Sequence, residues 1–177
     1  MAEVYVAAGS NIEPERHLRR ALVELAATYG PLRVSPAYRN KAVGFAGDDF
    51  VNLAVAFTTE RSPEEVRASL QEIERHCGRP ADAPRWAPRS MDLDILLFGD
   101  RVSQAPGLVF PRPDLVKRAY MLKPMADIAP DLVHPTLGRT MRALWEEFVA
   151  GSGGTPHEMV PVRLDPLPPD AAPAVDG

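Results

Sequence analysis

Within the run Arg85-Trp86-Ala87-Pro88-Arg89-Ser90-Met91-Asp92-Leu93-Asp94-Ile95-Leu96-Leu97, the two aspartates are the side chains best placed for chemistry. Met91, Leu93, Ile95 and Leu97 alternate with them, which predicts a strand over Met91 to Phe98 carrying both carboxylates on one face. Two carboxylates about 7 Å apart on one face repel each other, and an apolar strand offers them nothing cationic. A hard divalent ion, Mg²⁺, held by one or two carboxylates and shared with substrate phosphates resolves the conflict. A solvated sheet face whose acids pair with arginines resolves it too. Arg79, Arg85 and Arg89 crowd a proline-punctuated loop that feeds directly into this strand. Arginine stays charged and presents a planar fork matched to phosphate oxygens, so the cluster reads as a polyphosphate site beside a metal site. Trp86 suits stacking on a flat ring or anchoring the loop by packing.

Phe50 and Asn52 share one face of another strand candidate, Phe50 to Thr59, next to a glycine-containing loop over Lys41 to Asp49. An aromatic and an amide suit a flat, hydrogen-bonding heterocycle. A core phenylalanine with an asparagine capping loop backbone is the alternative. No G-x-x-x-x-G-K-[ST] occurs, and Gly9-Ser10-Asn11 falls short of G-x-G-x-x-G, so any nucleotide would be held by arginines and metal. Protein-kinase signatures are missing as well. The four histidines lack metal-ligand spacing, and Cys77 lies on an apolar helical stripe and reads as core.

These residues need elements to position them. Val4 to Ala8 reads as a short buried strand. Glu13-Pro14-Glu15 opens a helix whose apolar stripe is Leu18, Leu22, Leu25 and Tyr29, with Gly30 as its stop. Leu32 to Asn40 is a second strand candidate. Ser62-Pro63-Glu64-Glu65 starts a second helix with a capping pattern, and Val66, Leu70, Ile73 and Cys77 are its buried stripe. The order β-α-β-β-α-β is the ferredoxin-like arrangement of an α+β protein, an antiparallel sheet with both helices on one face. Helices over Arg118 to Ala126 and Thr140 to Val149 would cover the other face or one end.

The chain's 177 residues, 45% hydrophobic and 25% charged, suit one globular domain, here residues 1–150, with a core of its own. No apolar run reaches about 18 residues, so no membrane span is expected. The N-terminus reads as the first strand and not as a signal peptide. A single cysteine excludes an intrachain disulfide and fits a reducing cytoplasm. The net charge of −4 is concentrated at the end: residues 151–177 hold one arginine and four acids, leaving 19 basic and 20 acidic groups in the body. A balanced body gives no footprint for nucleic acid. Six prolines, four glycines and four acids in residues 151–177 predict a largely disordered tail.

Over about residues 3–135 the chain resembles hydroxymethyldihydropterin pyrophosphokinase of folate synthesis. The resemblance rests on Gly9-Ser10-Asn11, Phe50-x-Asn52, Gln71-x-x-Glu74-x-x-x-Gly78-Arg79, Arg85-Trp86-x-Pro88-Arg89-x-x-Asp92-x-Asp94 and Pro111-x-x-Asp114-x-x-x-Arg118-x-Tyr120. The fourth run is the most specific. The resemblance implies an α-β-α sandwich built on the ferredoxin-like core, and transfer of pyrophosphate from MgATP to the hydroxymethyl group of a dihydropterin, with release of AMP. It places two Mg²⁺ ions on Asp92 and Asp94, and the triphosphate on Arg79, Arg85, Arg89 and Arg118. Gln71, Glu74, Ile95 and Arg112 would lie at the nucleotide. Phe50 and Tyr120 would sandwich the pterin, Asn52 would read its edge, Val43 and Gly44 would line its pocket, and Trp86 would close over it. A monomer is expected.

The chain departs from the family pattern at three places. Pro80-Ala81-Asp82 stands where a further arginine usually follows Arg79. Pro111-Arg112 replaces a Pro-His, and Asn40-Lys41 replaces a Thr-Pro in a loop one residue shorter. Two other readings compete: a non-catalytic or altered-substrate pterin- or nucleotide-binding paralogue, and a nucleotidyl- or phosphotransferase using paired acids. Pyrophosphoryl transfer releases AMP, nucleotidyl transfer releases pyrophosphate, and a binder releases neither.

Overall fold

The alternation in Ala2–Ser10 (β1) sends Val4, Val6 and Ala8 to one side of a sheet and Tyr5 and Ala7 to the other, and helices cover both sides. The computed structural model describes residues 1–40, 49–78, 91–152, 159–164 and 167–173. After β1 come α1 (Pro14–Tyr29), β2 (Leu32–Val34), β3 (Ala37–Asn40), β4 (Phe50–Thr59), α2 (Pro63–His76) and β5 (Asp92–Phe98). There follow β6 (Ser103–Ala105), β7 (Leu108–Phe110), a 3-10 turn (Pro113–Val116), α3 (Ala119–Ile128), α4 (Met141–Ser152), β8 (Val160–Val162) and β9 (Ala171–Pro173). The sheet runs β5-β1-β4-β2-β9, with β3 bonded to β4 and to β8. Its pairs are antiparallel apart from β2 with β9. This is the ferredoxin-like order, widened at the β2–β3 side.

Leu18, Leu22 and Leu25 of α1 and Val66, Leu70 and Ile73 of α2 are buried against Val6, Leu53 and Leu93 on one face. Met121, Leu122 and Met125 of α3 and Met141 and Leu144 of α4 pack on Tyr5, Ala54 and Leu96 on the other, completing an α-β-α sandwich. Local signals set the helix ends. Gly30 ends α1 at φ 79°, a conformation that costs glycine nothing, while its N–H donates to Ala26 O. Ser62 Oγ accepts from Glu65 N, and the Glu65 carboxylate accepts from Ser62 N, closing the capping box at the start of α2.

The structure adds to or departs from the sequence reading at four places. The strand over Leu32 to Asn40 breaks at Ser35-Pro36, where proline has no N–H for the ladder and Ser35 Oγ accepts the Ala54 N–H instead, at 2.8 Å. On β5 the register slips between Ile95, opposite Val6, and Leu97, opposite Tyr5. This bulge inserts Leu96 as an extra residue and turns Leu97 to the α3–α4 layer, away from Leu93. The β6–β7 hairpin, unread in the sequence, lies alongside β5, and Arg112 N donates to Leu96 O at 2.9 Å just beyond it. The end of the chain adds β8 to β3 and β9 to β2, and its Leu164 and Ala171 are only 8% exposed within the α1–α2 core. The open N–H and C=O groups at that edge give a proline-rich segment something to pair with. Among the described residues no helix is long and apolar enough to cross a membrane.

Candidate active site

Three adjacent strands set one row of residues side by side: Asp92 on β5, Gly9 on β1 and Asn52 on β4, continued by Tyr38 on β3. The next row is Asp94, Ala7 and Ala54. Strands lie about 4.8 Å apart, so Asp92 and Asn52 stand roughly 10 Å apart on one face. Small residues in the middle keep this floor open. A Cβ on Gly9 would overlap Asn52 Oδ1, so glycine there is what lets the amide lie across β1.

A cavity of about 750 Å³ opens on this floor and continues around the outer edge of β5. Asn40, Phe50, Asn52 and Tyr120 line one arm. The other arm runs between α2, through Arg67, Gln71 and Glu74, and the segment from Gly107 to Arg112. Asp92, Asp94 and Ile95 lie where the arms meet. Residues spaced by three and four on a helix share a face, which is why α2 offers Arg67, Gln71 and Glu74 together. Glu74 Oε2 accepts the Leu93 N–H at 2.9 Å, fastening α2 to the edge strand between the two aspartates.

Charge is arranged around the acids. Arg112 Nη1 is 3.4 Å from Asp94 Oδ1, both side chains being about a quarter exposed, and the buried Arg112 Nε has no hydrogen-bond partner among the described residues. Burial pushes the Tyr120 phenol above its ordinary pKa, so it meets a ligand as a neutral ring with a hydroxyl donor. Desolvation likewise raises the Cys77 thiol to about 11, which leaves a protonated, buried core group.

Of the residues singled out from sequence, Asp92, Asp94, Gln71, Glu74, Ile95, Arg112, Phe50, Asn52 and Tyr120 come together around this one cavity. Phe50 and Asn52 are half-exposed cavity residues rather than core and loop cap. Arg118, exposed at the start of α3, does not itself line the cavity, but its charge reaches the lining Tyr120. Arg79, Arg85, Arg89, Trp86, Val43 and Gly44 lie outside the described residues. Sequence reasoning missed Asn40, Arg67 and the Gly107–Phe110 wall. For Arg67 the signal was present, four and seven residues before Gln71 and Glu74 on the same helical face.

The donor set at the acids fits a hard divalent ion. Two partly exposed carboxylates line the cavity beside small neighbours, and among the described residues no cluster of three or more His, Cys, Asp or Glu side chains could hold a metal. Such a pair leaves most of the coordination sphere to waters and phosphate oxygens, as Mg²⁺ prefers.

Residues 5–130 match the family described as 7,8-dihydro-6-hydroxymethylpterin-pyrophosphokinase (HPPK). A 2-amino-4-hydroxy-6-hydroxymethyldihydropteridine pyrophosphokinase of Pseudomonas aeruginosa is 42% identical over 136 residues, covering 75% of this chain and 83% of that protein. Its counterpart in Synechocystis is 37% identical over 145 residues, covering 80% and 74%. The crystal structure of wild-type Plasmodium falciparum HPPK-DHPS with pteroate aligns with a TM-score of 0.73 over 89% of this chain. This chain spans 47% of that longer protein, and at 13% identity the likeness speaks for the fold alone. The chain belongs to the HPPK family and is an enzyme of folate biosynthesis that transfers pyrophosphate from ATP to 6-hydroxymethyl-7,8-dihydropterin.

Proposed function

We propose that the reaction takes place where the two arms of the cavity meet, with the dihydropterin in the Phe50–Asn52–Tyr120 arm and ATP in the α2 arm. The adjacent rows Asp92–Gly9–Asn52 and Asp94–Ala7–Ala54 carry this reading, because together they put an acid pair and an amide suited to a heterocycle on one floor. The pterin hydroxymethyl oxygen attacks the β-phosphorus of ATP, the bond from that phosphorus to the α,β-bridging oxygen breaks, AMP leaves, and the hydroxyl proton passes to solvent.

Asp92 and Asp94 would hold Mg²⁺, two ions by the family resemblance. When bound, the metal neutralises phosphate charge and lowers the pKa of the attacking hydroxyl. Phe50 and Tyr120 hold the pterin ring between them, and Asn52 offers both donor and acceptor to its edge. Arg112, with a donor unused by the described residues, is placed to add a permanent cation at the phosphates. Arg79, Arg85, Arg89 and Arg118 complete phosphate binding in this reading, Val43 and Gly44 complete the pterin wall, and Trp86 closes over the pterin. The chain acts as a monomer. A single buried thiol and ATP as substrate fit the cytoplasm.

The test is AMP release from MgATP with and without 6-hydroxymethyl-7,8-dihydropterin, for wild type and Asp94→Ala. Pterin-dependent AMP that falls ~100-fold or more in the variant supports the site. A variant that keeps wild-type turnover removes Asp94 from the chemistry, and a wild type that binds ATP without forming AMP returns the chain to the non-catalytic reading.

A further inference from the structure

We propose that Arg67 is a base-binding residue that stacks on the purine of the nucleotide; this rests on the assignment of the cavity to ATP. Arg67 lies on the cavity face of α2, seven residues before Glu74. That spacing is about 10 Å along the helix axis. Glu74 binds the backbone between the two aspartates, so it marks the phosphate end of the cavity. A nucleotide with its phosphates at the acid pair and its length along α2 carries its base to the Arg67 end.

The guanidinium geometry says how it would engage that base. A Cβ built on Gly107 would stand 2.8 Å from Arg67 Cζ and 2.9 Å from both Nη atoms. A point at this range in the guanidinium plane and equidistant from the two Nη atoms would be clearly farther from Cζ than from them on their side, or clearly nearer to Cζ on the Nε side. The Gly107 position must therefore lie over the face of the group. One face of Arg67 rests on the β6–β7 turn, where Gly107 sits at φ +76° with no side chain to push it away. Arg67 also lines the cavity, and its opposite face is the one assigned to a planar ligand. Arg67 makes no hydrogen bond or ion pair among the described residues, so no carboxylate claims its charge. A guanidinium with a free face stacks on aromatic rings and is held there by cation–π attraction, a contact that tolerates any base with a π-face.

The experiment is calorimetric binding of two probes with Mg²⁺, α,β-methylene-ATP and inorganic tripolyphosphate, to wild type, Arg67→Ala and Arg67→Lys. Arg67→Ala is expected to weaken the nucleotide analogue about tenfold and leave tripolyphosphate within twofold. Arg67→Lys keeps the charge and loses the plane, so it is expected to resemble the alanine variant. Equal weakening of both probes would make Arg67 a phosphate ligand and overturn the proposal, as would an unchanged analogue affinity or full rescue by lysine. A wild type that binds neither probe overturns the ATP assignment and this role with it, whereas loss confined to the variants bears on Arg67 alone. The side chain is exposed, so unchanged melting temperatures are expected to accompany these shifts.

Discussion

At the scale of single residues, the site depends as much on what is missing as on what is charged. Gly9 has no side chain, and that lets Asn52 lie across the central strand, on the floor proposed for the dihydropterin. Gly9→Ala is expected to raise the KM for the dihydropterin by about tenfold or more with little change in the KM for ATP, and to cost ~1–3 kcal/mol of stability through overpacking. Steady-state kinetics with each substrate varied in turn, beside a denaturant titration, checks both. The acid pair was legible in the sequence because alternation on a strand makes two aspartates in an apolar run conspicuous. The value of Gly9 was less so, since it arises from a neighbour 43 positions away. Phe50 and Asn52 alone were compatible with a core role, and only cross-strand register decides between that role and a cavity.

Among the elements, α2 does two jobs, burying Val66, Leu70 and Ile73 while presenting Gln71 and Glu74 to the cavity. Its capping box fixes where that double face begins. Ser62→Ala is expected to cost about 1 kcal/mol, read as a lower denaturation midpoint, with AMP formation at 25 °C unchanged because the cap lies at the end of the helix far from Glu74. Both long helices were readable from spacing, caps and stop glycines, which are local signals. The β5 bulge and the β6–β7 hairpin were not. A bulge is set by how two strands fit together, and a three-residue strand carries too few alternations to register. The same limit hid the break at Ser35-Pro36, where proline gave the only hint.

Across the whole molecule, the two helical layers contribute unequally to the cavity: the α1–α2 layer lines much of the arm proposed for the nucleotide, and the α3–α4 layer contributes Tyr120 to the other. Beyond the site, the link between α3 and α4 holds His134, only 4% exposed, whose Nδ1 faces the N–H groups of Thr136 at 3.3 Å and Leu137 at 3.2 Å. Burial lowers its pKa below the ordinary 6.5. The unfolded chain then binds more protons there than the folded one as pH falls. The stability His134 contributes is complete above about pH 7 and declines from 6.5 down to the lowered folded value. Melting temperature is expected to drop between pH 7.5 and 5.5, and His134→Asn, whose Oδ1 can take the same two N–H donors, is expected to flatten that slope. The tail was the least legible region, because proline-rich composition says nothing of an open sheet edge elsewhere that it can join.

The strand order has a consequence for how the chain is made. β1 is synthesised before both of its neighbours in the sheet, Phe50–Thr59 on one side and Asp92–Phe98 on the other. A nascent polypeptide leaving the ribosome carries this apolar strand without one of its neighbours until residue 98 has emerged. Non-local pairing of this kind is slow and leaves strand edges exposed to other chains. A synthesis product ending before Asp92 would display a sheet edge prone to association and neither of the acids proposed to hold metal. The strand that completes the pairing of β1 is thus also the one that brings Asp92 and Asp94.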